Sequence, residues 1–390
     1  MTGLRLVVVG LFVMTAARAV AEPYMAVREG YKCSACHVNI TGGGMRTEFV
    51  AVHARDILHY PNFFPSIATP LDSFTGRINQ YIGIGSDLRV DYTTIFQDKP
   101  DENGQVDNNQ VFRGRVQSNQ ITVNEADGYL EVRLIPDILT AYLDQSFAPQ
   151  VNTREAWGLL RLPYDFFAKA GKMFLPYGLQ IQDDTAFIRG GRNGSVTTGF
   201  SFQQQQAAFE AGWEGGPFSV ITAVSDGSSG DRNVQVTGTA YTMLTDLPVV
   251  RNLLLGTSGS YVAPSGGHKS VFGFFGGSNL GQLTYLGEVD FLSVENQQTN
   301  GKTQGIFCMY TEANYLAFDW LNLKVAFDYA DDDGDESSPI DDSENRFSVG
   351  LEPFFSRFTQ FRLFYRIGNG VRSQPSHNQN LLTAELHVFF

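Results

Sequence analysis

The ten residues at 381–390, LLTAELHVFF, alternate between two kinds of side chain and decide the fold. Successive side chains of an extended strand point to opposite faces, so odd and even positions separate. One face is apolar and comprises Leu382, Ala384, Leu386, Val388 and Phe390. The other face is polar and comprises Thr383, Glu385 and His387. The stretch therefore predicts a β-strand with one apolar face and one polar face.

The same alternation recurs in four stretches upstream. Their apolar faces comprise Leu130, Val132 and Leu134; Leu283, Tyr285, Val289 and Phe291; Leu321, Leu323, Val325, Phe327 and Tyr329; and Phe361, Leu363 and Tyr365. Charged and amide side chains occupy the positions between them. A water-soluble sandwich with one wet face would show this pattern too. In a membrane barrel the charged face lines the lumen and the aromatic face meets lipid.

Composition and connection lengths separate these two architectures. The 390 residues include 40 Gly, 31 Phe and 16 Tyr, with hardly any long helical pattern, which favours one large β-domain over several globular ones. About sixteen strands can be placed between 74 and 389, joined by alternately short and long connections, as a transmembrane barrel requires. The predicted fold class is all-β, a transmembrane antiparallel β-barrel over 73–390. Both ends of the barrel chain then fall on the short-turn side.

Two neighbouring predicted strands contain a residue that does not suit a regular strand. They span 110–123 and 128–146, and a short turn at 124–127 is predicted to join them. Pro136 is a misfit inside the second strand, because proline has no N–H to donate to a sheet ladder. The pattern therefore predicts a β-bulge at Pro136.

One stretch resembles a known family. AGKMFLPYGL at 170–179 is similar to the Gly-x-x-x-x-Pro-aromatic-Gly stretch of phosphate-selective-porin-like barrels, and the strand that contains RGR at 113–115 is similar too. The terminal strand that finishes in Phe390 resembles the closing strand of bacterial outer-membrane barrels. The resemblance implies a sixteen-stranded barrel in outer-membrane lipid, with its third outer loop folded into the lumen. Barrels of this kind are often trimers, so a homotrimer is one implied state.

Residues 1–21 have the features of a secretory signal peptide. Arg5 gives a positive start, a mostly apolar run follows, and AVA at 19–21 offers small residues for cleavage. The run is too short to span a bilayer, which takes about 20 residues. Removing 1–21, which hold two arginines and no acid, changes the formal charge from −13 to −15. Such an acidic chain is not expected to bind nucleic acid.

The pentapeptide CSACH at 33–37 has the pattern of a c-type haem attachment site. Two thiols two residues apart can each bond one vinyl group of a porphyrin, and the adjacent His37 can bind the iron as an axial ligand. A local disulfide or a redox dithiol is the alternative, but a redox C-x-x-C motif is expected in a βαβ context, which is absent. We therefore predict one covalent haem c on Cys33 and Cys36. The third cysteine, Cys308, lies in a strand pattern and is predicted to be a small apolar filler.

The predicted monohaem segment covers 22–72 and is small, partly helical and partly irregular. Gly42–Gly44 can let the backbone approach a flat ligand, or can form a flexible linker, and both interpretations stay open. A helix is predicted over 47–60, capped by Thr47 and closed by Pro61. His53 lies on its apolar face and is the preferred candidate for the second axial ligand.

Other residues can take that position as well. His59 lies off the apolar face of the same helix, and Met45 and Met25 are further candidates. A methionine ligand would raise the reduction potential.

Polar side chains of the wall form a second group of candidates. Five arginines are predicted to face the lumen, where guanidinium groups would attract anions: Arg113, Arg115, Arg133, Arg362 and Arg366. Acidic residues are predicted to face it too: Glu131, Glu288, Asp290, Glu312, Asp328 and Glu385. A salt-bridged wall is therefore favoured over an anion ladder. The acidic run 331–336 departs from the EF-hand pattern and is predicted to be a solvated outer loop.

These features lead to a functional hypothesis. The haem-bearing front resembles porin-like components of outer-membrane electron conduits, which implies an electron-transfer role rather than an enzyme. The haem would lie at the periplasmic mouth and exchange electrons with multihaem cytochromes in the periplasm, at the outer surface, or both. One haem cannot bridge a hydrocarbon layer of about 30 Å, so further haem proteins are needed. The alternatives are an anion or solute porin with a structural or sensory haem, and a haem enzyme such as a peroxidase.

Overall fold

A closed barrel of sixteen antiparallel strands, preceded by two short helices, makes up most of the described chain. The computed structural model describes residues 22–50, 52, 74–181, 183, 185–189, 205–227, 234–263, 267–296, 302–331, 343–356 and 358–390. The helices are α1 (Pro23–Glu29) and α2 (Cys33–Cys36). The strands are β1 (Ile82–Phe96), β2 (Val116–Ile135), β3 (Leu139–Ala148), β4 (Asn152–Arg161), β5 (Phe166–Met173), β6 (Gln206–Trp213), β7 (Phe218–Ser225), β8 (Gln235–Thr245), β9 (Asn252–Val262), β10 (Lys269–Leu280), β11 (Leu283–Asn296), β12 (Lys302–Phe318), β13 (Leu321–Asp331), β14 (Glu344–Ser356), β15 (Thr359–Asn369) and β16 (Asn380–Phe389). No helix in the described ranges is long and apolar enough to cross a membrane.

Alternating side chains sort themselves between the outside and the inside of the barrel. On β11, Leu283, Tyr285 and Phe291 are exposed outward, whereas Glu288 and Asp290 are buried inward. Burying carboxylates is costly unless they are paired, so the polar face must meet the lumen contents while the apolar face meets lipid. The predicted fold class and the two-faced strands are confirmed.

The barrel closes through β16, which contains most of the stretch 381–390 whose alternation predicted the fold. Strand β16 pairs antiparallel with both β15 and β1, and the ladder with β1 runs from Asp87↔Phe389 to Phe96↔Asn380. Leu382 and Leu386 point outward, while Thr383 and His387 are buried on the inner face. Each remaining strand pairs with its neighbours in sequence. In the part of the chain that the structure describes, no strand edge of the barrel is therefore left unpaired, as a membrane-embedded sheet requires.

The two ends of the barrel differ in their connections. At one end, which we call the short-turn end, strands such as β8 and β9 or β10 and β11 are joined by two to six residues. At the opposite end, the loop end, β5 and β6 are joined by residues 174–205, which we call loop L3. The predicted alternation of short and long connections is present, although β3 and β4 are joined at the loop end by only three residues.

The prediction for residues 110–146 was wrong in its boundaries. Strand β2 runs without interruption through 124–127, and Pro136 lies in the turn to β3, where Ile138 N–H donates to Ile135 O at 3.0 Å. The composition of 124–127 suits a turn, but pairing with β1 continues through it. A register shift between Arg89 and Val90 absorbs Asn124 as a bulge. The proline therefore ends a strand and does not interrupt one.

Two segments fill the barrel from opposite ends. Residues 22–50, which we call the N-terminal insert, lie at the short-turn end, where α1 contacts β9, β10 and β11. Loop L3 enters from the loop end and buries Leu175, Tyr177 and Ile188 in the lumen. The expectation that the third outer loop folds into the lumen is confirmed. The space between these two segments is where the candidate site lies.

Candidate functional site

Helix α1 carries the chain along the inner wall to the short-turn end. Tyr24, Met25 and Val27 are buried against the wall, and the helix ends at Gly30, whose φ of 76° is left-handed. A Cβ at Gly30 would lie 2.7 Å from Thr245, so only glycine fits there. Asn252 Nδ2 donates to the carbonyl of Arg28 at 2.7 Å. The helix end is thus held against the turn between β8 and β9.

Helix α2 brings both predicted haem thiols to one cavity. Lys32, just before it, donates from Nζ to the carbonyls of Glu214 at 2.9 Å and Phe218 at 2.8 Å. Cys33 and Cys36 are three residues apart on one helical turn, so their side chains share a face. His37 N–H donates to Cys33 O at 2.9 Å and ends the helix. Two thiols and one imidazole therefore line the same space.

After α2 the chain forms a hairpin across residues 37–46. His37 and Arg46 are bridge partners, and Val38 N–H donates to Met45 O at 3.0 Å. Its tip is Gly42–Gly44, with φ of 94°, 77° and 64°, a run that side-chain-bearing residues rarely adopt. A Cβ at Gly43 would meet no atom within 4 Å. The glycines form a defined turn that lines the cavity and is open at Gly43.

Buried polar groups fix the hairpin to β3, β4, β5 and β6. Asn39 Nδ2 donates to Glu155 Oε1 at 3.2 Å, and Lys169 Nζ donates to Asn39 Oδ1 at 2.9 Å. Lys169 also forms a 2.9 Å ion pair with Glu210, in which both side chains are fully buried. Met45 N–H donates to the Tyr142 hydroxyl at 2.9 Å. The contacts of Asn39 and Met45 join the insert to residues remote in sequence, and the pair with Glu210 holds the wall lysine in place.

The cavity between the insert and loop L3 has a volume of about 640 Å³, within the usual range for ligand sites. Its walls include Cys33, Cys36, His37 and the glycine tip, together with L3 residues 176–181. None of the three cysteines, all within the described ranges, forms a disulfide. Two thiols, an imidazole and an open glycine face in one cavity fit a covalently attached haem.

The thiols are unlike those of a redox dithiol. Burial raises the pKa of Cys33 to about 11 and that of Cys36 to about 12. Thiol–disulfide catalysts need the opposite, a lowered pKa that populates the thiolate at neutral pH. The redox-dithiol alternative is therefore disfavoured.

The charges that line the cavity nearly balance. They comprise eight carboxylates and seven Lys or Arg side chains, so the cavity has no strong field for anions. Most cations are paired: Arg362 lies 2.5 Å from Glu385, and Lys324 lies 3.1 Å from Glu352. Arg46 is different, because its guanidinium carbon lies 3.4 Å from the ring centroid of Phe389. Burial lowers the pKa of Arg46 to about 10 despite the nearby carboxylate of Asp87.

The candidates for the second axial ligand lie in different parts of the chain, and some are outside the described residues. His53 and His59 lie outside the described residues. Met45 is buried with its side chain against Gly83 and Gly85 of β1, and Met25 is a buried residue of α1; neither lines the cavity. The predicted cap of the following helix is present, since Val50 N–H donates to Thr47 Oγ1 at 3.4 Å. The rest of that helix, apart from residue 52, lies outside the described residues.

The five predicted lumen arginines divide into three groups. Arg362 and Arg366 line the cavity, and Arg133 lies 2.8 Å from Glu131 on the inner wall. Arg113 lies before β2, buried at the loop end, where it donates to Asn380 Oδ1 at 2.6 Å. Arg115 is exposed. Arg113 and Arg115 both precede β2, which begins at Val116, so neither belongs to the inner face of that strand.

Two further predictions concern residues outside the cavity. Cys308 is fully buried in β12 and packs in the apolar cluster inside the lumen, as expected of a small filler. Asp331 ends β13, and residues 332–336 of the acidic run lie outside the described residues.

The sequence analysis did not predict several residues of the site. The pairing of His37 with Arg46 is one of them: His37 lies five residues before the glycine triplet and Arg46 two residues after it, so the spacing alone did not indicate the pairing. Met243, on the inner face of β8, also lines the cavity and follows from strand alternation. Lys169 gave no such indication, because its partner Asn39 is 130 residues away.

Comparison with known proteins identifies the fold alone. The sequence matches no known family model and none of the curated proteins. Solved structures do match: an anion-selective porin from Comamonas acidovorans has a TM-score of 0.56 at 10% identity, covering 79% of this chain and 99% of its own. The outer membrane channel DcaP of Acinetobacter baumannii has a TM-score of 0.54 at 8% identity, covering 79% and 97%.

A third neighbour is the outer membrane protein OmpT of Vibrio cholerae, in vitro folded and in a trimer form. Its TM-score is 0.58 at 10% identity, covering 80% of this chain and 100% of its own. The chain therefore has the fold of outer-membrane porins.

Proposed function

We propose that this chain is an electron-transfer component of the bacterial outer membrane that holds a single haem c inside a porin-like barrel. Cys33 and Cys36 would form the covalent links, and His37 would bind the iron. His53 remains the proposed second axial ligand, with His59 and Met45 as alternatives. Bound there, the haem would supply one-electron oxidation and reduction.

The observation that carries this proposal is the convergence of the C-x-x-C-H residues on one lumen cavity. The two thiols share a helical turn and His37 follows directly, so all three side chains can reach one flat group. The buried contacts of Asn39 and Lys169 hold these residues in place. Fixing the ligands in this way limits the rearrangement that accompanies a change of charge on the iron.

The proposed orientation follows from the connections. In outer-membrane barrels short turns face the periplasm and long loops face outward. The insert contacts the wall at the short-turn end, so we propose that periplasmic electron carriers approach the haem from that side. We propose multihaem cytochromes in the periplasm, at the outer surface or at both as partners, because one haem is too short to cross the hydrocarbon layer. The trimer form of one structural neighbour supports a homotrimer as the assembly.

A second candidate function is an anion or solute porin with a structural or sensory haem. The similarity to an anion-selective porin favours it. Two observations weigh against it: the N-terminal insert and loop L3 occupy the lumen from both ends, and the charges that line the cavity nearly balance. Electron transfer is therefore the better-supported function.

The test is a pair of cysteine variants in the full-length chain, expressed with a c-type haem maturation system. Wild-type protein from the outer membrane should contain one covalent haem per chain in a pyridine haemochrome spectrum. Cys36→Ala should abolish covalent haem attachment and extracellular electron transfer, while the heat-sensitive gel migration of a folded barrel is retained. Cys308→Ala is the matched control and should keep both haem and electron flux.

Two results would reject the proposal. One is unchanged electron flux to external acceptors in Cys36→Ala. The other is anion-selective conductance in planar bilayers that is large in the wild type and unaffected by this substitution, which would establish the porin function instead.

A further inference from the structure

We infer that Arg46 binds a carboxylate group of the porphyrin that Cys33 and Cys36 hold. This inference rests on the proposed function and adds a residue to its binding site. Haem carries two carboxylate side chains along one edge of the macrocycle. Taking a carboxylate into a protein interior is costly unless a cation or hydrogen-bond donors receive it.

The hairpin geometry places Arg46 beside the iron ligand. Residues that face each other across an antiparallel bridge project their side chains on the same side. His37 and Arg46 are such partners, and both side chains line the cavity. A group bound by His37 therefore lies on the side of the hairpin from which the guanidinium of Arg46 also projects.

The other cations of the cavity already have partners. Arg89, Arg154, Lys324, Arg362 and Arg366 each lie within ion-pair distance of a carboxylate. Lys32 donates to two main-chain carbonyls. Among the cavity-lining cations of the described ranges, Arg46 alone has no side-chain hydrogen bond and no carboxylate within ion-pair distance; Asp87 and Glu22 act on it only from farther away. Its donors are available for a ligand.

The packing of Arg46 suits this role. The central carbon of its guanidinium lies 3.4 Å from the ring centroid of Phe389, a cation–π contact that supports the side chain beside the cavity. A guanidinium held in this way can bind a carboxylate through two parallel hydrogen bonds, which a lysine cannot do. The aromatic support and the absence of an internal partner together describe a preorganised carboxylate site.

The experiment measures the midpoint potential of the holoprotein by spectroelectrochemistry. Arg46→Gln should lower the potential, because removing a nearby cation favours the oxidised, more positive iron. Arg46→Lys keeps the charge and should give a potential between those of the wild type and Arg46→Gln. Arg28→Gln is the matched control, since Arg28 is in the same insert but pairs with Glu29 at 3.2 Å and does not line the cavity.

A structural role for Arg46 is tested in the Cys36→Ala background, where no haem is attached. The double variant Cys36→Ala/Arg46→Gln should fold to the same yield as Cys36→Ala alone. Failure of the double variant to fold would make Arg46 a structural residue and overturn the inference. So would an Arg46→Gln potential equal to that of Arg28→Gln. Wild-type protein without covalent haem would instead reject the proposed function itself.

Discussion

The N-terminal insert and loop L3 both fill the lumen, but they use their polar groups differently. Loop L3 directs its charges at the wall: Arg189 lies 2.5 Å from Glu288, and Asp183 lies 3.1 Å from Arg346 and 3.2 Å from Arg366. Even its main chain is held by wall carboxylates, since Leu179 N–H donates to Glu288 at 2.8 Å. These contacts leave L3 few polar groups for any other partner.

The insert is attached mainly through amide and main-chain groups and through apolar packing. Asn39, the carbonyl of Arg28 and the N–H of Met45 contact the wall. Two charged side chains of the insert add to them: Lys32 donates to main-chain carbonyls of the wall, and Glu22 contacts Arg362. Its chemically distinctive side chains, two thiols, an imidazole and a guanidinium, all line the cavity. L3 therefore uses its polar groups to hold the wall, whereas the insert leaves its distinctive side chains facing the cavity, as the proposed haem site requires.

Among the substitutions that test this difference between the insert and L3, Lys169→Met should have the largest effect, because it removes the buried cation that links the insert to the wall. Glu210 and Glu155 would be left without their compensating charge, which costs about 3–5 kcal/mol in the free energy of unfolding. Trp157 reports on the site, since the Lys169 ammonium lies 5.4 Å from its ring. Urea unfolding in detergent, followed by tryptophan fluorescence, measures the loss.

The control for this substitution lies on the same strand. Lys172 is exposed and donates from Nζ to the carbonyl of Thr153. Lys172→Met should change the free energy of unfolding by less than about 0.5 kcal/mol. Equal losses in the two variants would show that the buried charge does not anchor the insert.

Gly44→Ala tests the attachment of the insert alone, because it strains the hairpin and its contact with the wall and does not alter L3. The φ of 64° at this position disfavours alanine by about 1–2 kcal/mol, and the new methyl group would clash with the Tyr142 hydroxyl at a further cost of about 1–3 kcal/mol. Gly43→Ala has a similar φ of 77° but meets open space, so it should lose only the first contribution. The difference between the two urea-unfolding free energies measures the hairpin's contact with the wall; no difference would contradict it.

Asp183→Asn tests the opposite segment and should have the smallest effect. Burial raises the pKa of Asp183, but Arg366 and Arg346 outweigh burial and hold it well below its usual range. The carboxylate therefore stabilises the fold above its unfolded pKa of about 3.9, and this contribution is lost as the pH falls further.

We expect the wild type to exceed Asp183→Asn by about 1–2 kcal/mol in free energy of unfolding at pH 7. The gap should narrow below about pH 4, and the haem content should not change. Urea unfolding at both pH values measures the gap. A loss of haem in Asp183→Asn would contradict the division of roles between the two segments.

The strands of the barrel wall were predictable because, along each one, residues that face lipid alternate with residues that face the lumen. On β16 the alternation of Leu382 and Leu386 with Thr383 and His387 is enough to assign lipid and lumen faces. The boundary between β2 and β3 was not predictable in the same way. The turn-like composition at 124–127 is local, whereas the pairing with β1 that overrides it involves residues more than thirty positions away.

The site was predictable in its chemistry but not in its position. The spacing of Cys33, Cys36 and His37 is local and predicts what they can bind. Their location inside the lumen depends on contacts such as Asn39 with Glu155, 116 residues apart, for which a single sequence carries no pattern. Loop L3 was placed correctly only because its sequence resembles that of other barrels.

The contacts between the insert and the barrel wall also constrain the order in which the barrel folds. Glu22 contacts Arg362, 340 residues along the chain, and Arg46 rests on Phe389 in the strand that seals the ring. Contacts between such distant positions form late, because closing so long a loop is entropically costly. Cys36 is only 1% exposed in the finished barrel. If the proposed haem is joined through that sulfur, we expect it to be attached while the chain is still open, before the ring of strands closes around the insert.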